Sequence, residues 1–195
     1  MSIEVTLDYY TDPLRLGKYS GICYGREGND EHRLRHVVTV GHLSVLRFGH
    51  ATFKISSISR VCLAQLTRSK HLDYLVRSSR YCDESSCELV VPERIDRLPE
   101  DLKSEWYEIS GRAQQMYSKA LASGMRKEDA RFILPQSQST ELWVTGNYQA
   151  WVDFIKLRHT KSAQGEVREV AGLIRSELQK VAPVLFGEPD ETTPP

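Results

Sequence analysis

The sequence has no excess of charge of either sign, since 26 Lys and Arg balance 26 Asp and Glu over 195 residues. A chain without a net field does not gather nucleic acid polymers or anionic lipid through bulk electrostatics, so any anion site must be local. It also lacks an uninterrupted apolar run of the roughly 18 residues a membrane span needs, and it shows no apolar leader segment. No membrane partner and a cytoplasmic location are therefore expected. The four cysteines, Cys23, Cys62, Cys82 and Cys87, contain no CxxC pair, and no paired histidines accompany them. Cys82 and Cys87 leave a bridge or a metal pair open, but reduced thiols and no metal are the simpler expectation. No internal repeat is present.

What is there is ordinary for a globular protein: 40% hydrophobic and 27% charged residues, enough for one substantial domain or at most two small ones. Ile3, Val5 and Leu7 alternate as in a strand. Asp30 offers an N-cap and Gly41 a stop for a helix of about three turns between them. "HATFKIS" alternates again, and Ser59 opens a helix with Val61, Cys62 and Leu66 inward. "ELVVPE" reads as a short strand closed by Pro92. From Asp101 to Ser123, Leu102, Trp106, Ile109, Met116, Ala120 and Leu121 recur at helical spacing, and Gly124 ends the run. "KEDARFIL" is a short helix stopped by Pro135, and "TELWVTG" is a strand. Two more helices follow, one capped by Asn147 and one in "GEVREVAGLIRSELQKVAP". Strands and helices mix without regular alternation, which predicts an α+β fold. The expected domain spans residues 1–187, and the acid- and proline-rich residues 188–195 read as a flexible tail.

Basic residues sit beside structural punctuation in three places. "TRSKHLDYLVRSSRY" carries Arg68, Lys70, His71, Arg77 and Arg80 directly after an apolar run. Arg131 lies one turn before a proline, and Arg158 ends a helix on the side of Trp151, Phe154 and Ile155. A surface ion pair contributes about 0–1 kcal/mol, whereas hydrogen bonds to a charged group contribute about 1.5–3 kcal/mol each. Arg–phosphate forks therefore account for basicity held beside a core, and point to a phosphorylated small molecule.

From about His36 to Val184 the sequence resembles the flavin-dependent thymidylate synthases. "RHVVTVGHLSVL", "ISRVCLAQLTR", "ARFILP", "TGNYQAW" and "FIKLRHTKSAQGEVR" match family blocks in order. The family signature is Arg-His-Arg, a seven-residue spacer, Ser, then Arg-Tyr; this chain has Arg68-Ser69-Lys70, the same spacer, Ser78, Arg80 and Tyr81. It departs at Ser69 and Lys70, at Leu75 and Val76 in the spacer, at Gln149 where the family has Arg, and at Ser162 where it has His.

The resemblance implies a homotetramer, with helices around an antiparallel or mixed sheet and sites shared between subunits. It implies nucleotide-holding roles for Gln65, Ser78, Arg80, Arg131 and Arg158, with Arg158 catalytic. Flavin-holding roles fall on Cys23, His42, Ser44, Arg68, Ser69, Lys70, His71, Asn147, Gln149 and Asp153. FAD would be the cofactor, and methylenetetrahydrofolate and NADPH the co-substrates. The reaction implied is C5-methylation of UMP, dUMP or both. The altered flavin side is similar to a divergent member, such as the uridylate methylases of polyoxin-like antibiotic pathways. Two other readings stay open: a non-catalytic nucleotide-binding homologue, and an unrelated phosphate-binding domain.

Overall fold

The computed structural model describes residues 2–187, so the expected tail at 188–195 lies outside the described residues. β1 (Glu4–Tyr10) keeps the alternation read from the sequence, with Val5 and Leu7 half-buried between exposed neighbours. α1 (Leu14–Tyr24) was not expected. It packs against α2 (Asp30–Thr39) through Gly17, where an added Cβ would stand 2.0 Å from the Asp30 carbonyl oxygen. The cap expected of Asp30 is corrected: Asn29, at φ 56°, precedes the helix, and Asp30 is its first residue, ion-paired with Arg33 at 3.1 Å. Carboxylates in a first turn answer the helix dipole.

A 3-10 helix (Leu43–Phe48) leads into β2 (His50–Ser59), which ends in α3 (Arg60–Leu66). Ser59 caps α3 as expected, its Oγ accepting from the Cys62 N–H at 3.0 Å. Cys62 and Leu66 are buried, but Val61 is 40% exposed, against expectation. β3 (Leu72–Val76) follows. The strand expected in "ELVVPE" is replaced by one isolated bridge between Leu89 and Gln138. Pro92 has no N–H to extend a ladder there.

α4 (Glu100–Ala122), α5 (Lys127–Ala130) with a 3-10 turn (Arg131–Ile133), and β4 (Ser139–Asn147) come next. The chain closes on α6 (Tyr148–Arg158), α7 (Gly165–Val181) and α8 (Pro183–Phe186). The sheet order is β1-β2-β4-β3. Opposed strand directions follow from the bonds: Thr52 meets Thr145 through their hydroxyls at 2.8 Å, while Arg60 N–H reaches the Gln138 carbonyl at 3.1 Å. The α+β expectation is met.

Contacts divide the chain into two compact units, each drawn from three segments. The first comprises, among the described residues, 2–4, 55–68 and 75–142, with Ile55, Ile58, Cys62, Leu66, Ile95, Tyr117 and Leu142 in its core. On its long helix α4, Ser110 and Tyr117 face inward, whereas Leu102, Ile109 and Met116 are 47%, 59% and 54% exposed. Those three recur every two turns, flanked by the half-buried Trp106, Ala113 and Ala120.

The second unit comprises, among the described residues, 5–54, 69–74 and 143–187. Trp151 is its largest buried side chain, edge-on to Phe53 at 5.0 Å and to Phe154 at 5.9 Å. Its indole N–H donates to the Ala51 carbonyl at 3.1 Å, so the ring is buried without losing a donor. Gly146 lets β3 approach closely: a Cβ there would lie 2.3 Å from Leu72 Cδ2. No described helix is long and apolar enough to cross a membrane.

Candidate functional site

In the first unit, residues 78–82 form a turn in which the Ser78 carbonyl accepts from the Tyr81 N–H at 3.1 Å and the Cys82 N–H at 2.9 Å. Ser78 Oγ accepts from the Arg80 N–H at 3.3 Å. Arg80 is exposed at the crest, its guanidinium 5.5 Å from the Tyr81 ring centre and its Nε 2.7 Å from the Glu128 carboxylate. Arg131 comes from the turn after α5. Its Nε donates to the Glu128 carbonyl at 3.1 Å, and its Nη1 reaches Ser79 Oγ at 3.5 Å. Lys127 Nζ donates to the Tyr81 carbonyl at 3.0 Å, and Arg126 lies 3.6 Å from Glu128.

Ser78, Arg80 and Arg131 are thus brought together, three of the residues singled out from the sequence. Arg126, Lys127, Glu128 and Ser79 were missed, although Glu128 stands one helical turn before Arg131 and so shares its face. Arg80 and Arg126 share the Glu128 carboxylate, while Arg131 and Lys127 are held by the Glu128 and Tyr81 carbonyls, with Asp83 also within reach of Lys127. Guanidinium groups held this way suit an oxyanion such as phosphate. Gln65 belongs to the same unit, half-buried near the end of α3, and Arg68 is exposed just beyond it.

In the second unit, Arg158 ends α6 half-buried. Its charge acts on Tyr74, whose hydroxyl donates to the Ser69 carbonyl at 3.4 Å. Burial pushes the Tyr74 phenol up to about 12, while Ser69 and Arg158 pull the other way. Arg158 and the signature turn at Ser69 are therefore joined through Tyr74, another residue the sequence reading did not single out. Asn147 caps α6, its Oδ1 accepting from the Ala150 N–H at 2.9 Å, and Gln149 Nε2 donates to Asp153 Oδ1 at 3.0 Å. Cys23, His42, Ser44, Lys70 and His71 are all exposed.

The flavin implied by the resemblance was tested against these groups. The Ser69 side chain is half-buried beside Tyr74 and the exposed Lys70 and His71, and this set of hydroxyl, cationic and imidazole donors fits a phosphorylated, hydroxyl-rich cofactor. All four thiols are free, and among the described residues no three His, Cys, Asp or Glu side chains gather as a metal centre.

The family described as Thymidylate synthase complementing protein matches residues 7–184 of the chain. A Flavin-dependent thymidylate synthase from Mycobacteroides abscessus is 33% identical over 182 residues, covering 86% of this chain and 73% of that one. The protein of the same name from Mycobacterium tuberculosis is 34% identical over 175 residues, with 82% and 70% covered. That from Mycobacterium avium is 32% identical over 169 residues, with 80% and 68% covered.

Proposed function

The chain belongs to the Thymidylate synthase complementing protein family, and on that footing we propose that it methylates C5 of a uridine monophosphate, UMP, dUMP or both. The observation that carries the reading is the convergence of Ser78, Arg80 and Arg131 on one exposed cationic turn. Arg80 and Arg131, with Ser78 and Gln65, hold the nucleotide. Their guanidinium forks match phosphate oxygens and stay charged at any working pH. Arg158 faces the base and stabilises negative charge developing at N3 and its neighbouring carbonyl, which makes C5 nucleophilic. Methylenetetrahydrofolate donates the carbon to C5, which loses its proton, and the carbon–nitrogen bond to the folate breaks so that tetrahydrofolate leaves. A bound reduced flavin, regenerated by NADPH, would supply the hydride that brings that carbon to the methyl level. Arg68, Ser69, Lys70 and His71, with Cys23, His42, Ser44, Asn147, Gln149 and Asp153, hold that flavin in a cytoplasmic enzyme.

The assembly that fits is a homotetramer with sites shared between subunits. The exposed stripe of Leu102, Ile109 and Met116 supports self-association. So does the polarity of α4: its first half holds Glu100, Asp101, Glu105 and Glu108 against the single Lys103, which Asp96 already pairs, and its second half holds Arg112 and Lys119, so antiparallel pairing of two copies opposes unlike charges. Ser69 and Lys70 in the signature fit a divergent member, of the uridylate-methylase type found in polyoxin-like pathways.

One observation favours a second reading, a nucleotide-binding homologue with weakened flavin binding. Gln149 and Asp153, two flavin-side residues, are bonded to each other. The deciding experiment supplies UMP and dUMP in parallel with reduced FAD and methylenetetrahydrofolate, using the parent protein and Arg158→Ala. A methylated product from the parent, lost in Arg158→Ala with flavin absorbance retained, is expected. A colourless protein that makes no product and cannot be reconstituted with FAD would leave the second reading in place, and unchanged turnover in Arg158→Ala would remove the mechanism.

A further inference from the structure

Among the described residues Glu84 is the only charged side chain that is buried, at 2% exposure, and neither the nucleotide-holding nor the flavin-holding set uses it. Taking a carboxylate out of water costs several kcal/mol unless a charge and hydrogen bonds compensate it. Arg77 compensates it, with Nε 3.3 Å from Oε1 and 3.4 Å from Oε2. The same guanidinium donates through Nη2 to the Asp83 carbonyl at 3.4 Å and lies 3.6 Å from the Glu141 carboxylate.

Both partners are also tied by their backbones. The Arg77 N–H donates to the Glu141 carbonyl on β4 at 3.0 Å, and the Glu84 N–H donates to the hydroxyl of the buried Tyr117 on α4 at 3.2 Å. The residues fixed in this way stand immediately before Ser78 and just after the turn that carries Arg80. Arg80 and Tyr81 themselves are exposed; Glu128 and Lys127 hold them from α5, while Arg77 and Glu84 hold the two ends of the loop. The Arg77 side chain is 36% exposed, so solvent screens the pair and its contribution to stability is modest. A fork onto a carboxylate and a loop carbonyl adds direction instead.

We infer that Arg77 and Glu84 form a clip whose role is to position the Ser78–Arg80 turn for the nucleotide phosphate, Glu84 acting through Arg77 as a positioning residue. The inference rests on the nucleotide reading of that turn.

The test is calorimetric titration of the full chain with UMP and dUMP, joined to steady-state kinetics. It compares the parent, Arg77→Lys, Glu84→Gln and the double variant. Arg77→Lys keeps the compensating charge and loses the fork, so it decides the matter should Glu84→Gln fail to fold. Each single change is expected to raise the nucleotide Kd and KM roughly tenfold, with kcat and the folate KM little changed. The double variant should be no weaker than the weaker single, because both changes break one device. Unaltered nucleotide affinity in a folded variant, or losses that multiply in the double variant, would overturn the clip. So would a fall in kcat and in affinity for every ligand together, the mark of a purely structural role. A parent protein that binds neither nucleotide would instead overturn the reading of the turn itself.

Discussion

Tyr74 illustrates what a single buried phenol does to stability. Its ionisation is shifted from the ordinary value of 10.0 to about 12, chiefly by burial. Below pH 10 the folded and unfolded chains both keep the proton, so the stability it contributes is fully present. Between pH 10 and 12 the unfolded chain ionises and the folded one does not, and that contribution is lost as the pH rises. Tyr74→Phe should therefore flatten part of the alkaline fall in melting temperature. Some slope will remain, because burial also raises the Tyr148 and Tyr117 phenols. An unchanged slope would show that Tyr74 is ionised normally in the folded chain. Losing its bond to the Ser69 carbonyl adds a pH-independent cost of about 0.5–1.5 kcal/mol.

Among the elements, α3 is the clearest case of local sequence dictating structure. Ser59 is extended, at φ −74° and ψ 160°, with its hydroxyl on the Cys62 N–H, so Ser59→Ala should cost about 1 kcal/mol, read from the urea midpoint at constant slope. No change would mean that water replaces the cap. Elements announced by such punctuation were legible: α3 from Ser59, α6 from Asn147 and the end of α4 from Gly124 at φ +88°. α1 was not, because Gly17 and Gly21 interrupt its apolar period, and those glycines serve close approaches to Asp30 and to Arg26 and Arg33 outside the helix. β3 was hidden for a related reason. Its alternation is brief and lies inside a stretch whose basicity drew the reading toward ligand chemistry. In the site, Arg80 and Arg131 could be found from the motif, but Glu128, Lys127 and Tyr74 could not, since their placement depends on tertiary approach.

For the molecule as a whole, the exposed apolar residues of α4 form a stripe along one helix that a lone chain leaves unexplained. Under the proposed assembly, Ile109 lies in a contact between copies, and Ile109→Glu should shift the sedimentation coefficient toward a smaller species. Because Ile109 is 59% exposed and packs little against its own unit, the variant's circular dichroism should stay unchanged. A parent protein that already sediments as a monomer, or a variant that sediments like an associated parent, would remove α4 from the interface.

The interleaving of the two units has a consequence for synthesis. The last segment of the first unit ends at residue 142, whereas the helices and strands within 5–54 belong with partners from 143 onward. During translation the early residues, with the apolar Leu16, Leu34 and Phe53 among them, must wait for Trp151 and α7 to leave the ribosome. At about 5–20 residues per second that delay is on the order of ten seconds, long enough for a chaperone to hold the nascent segment.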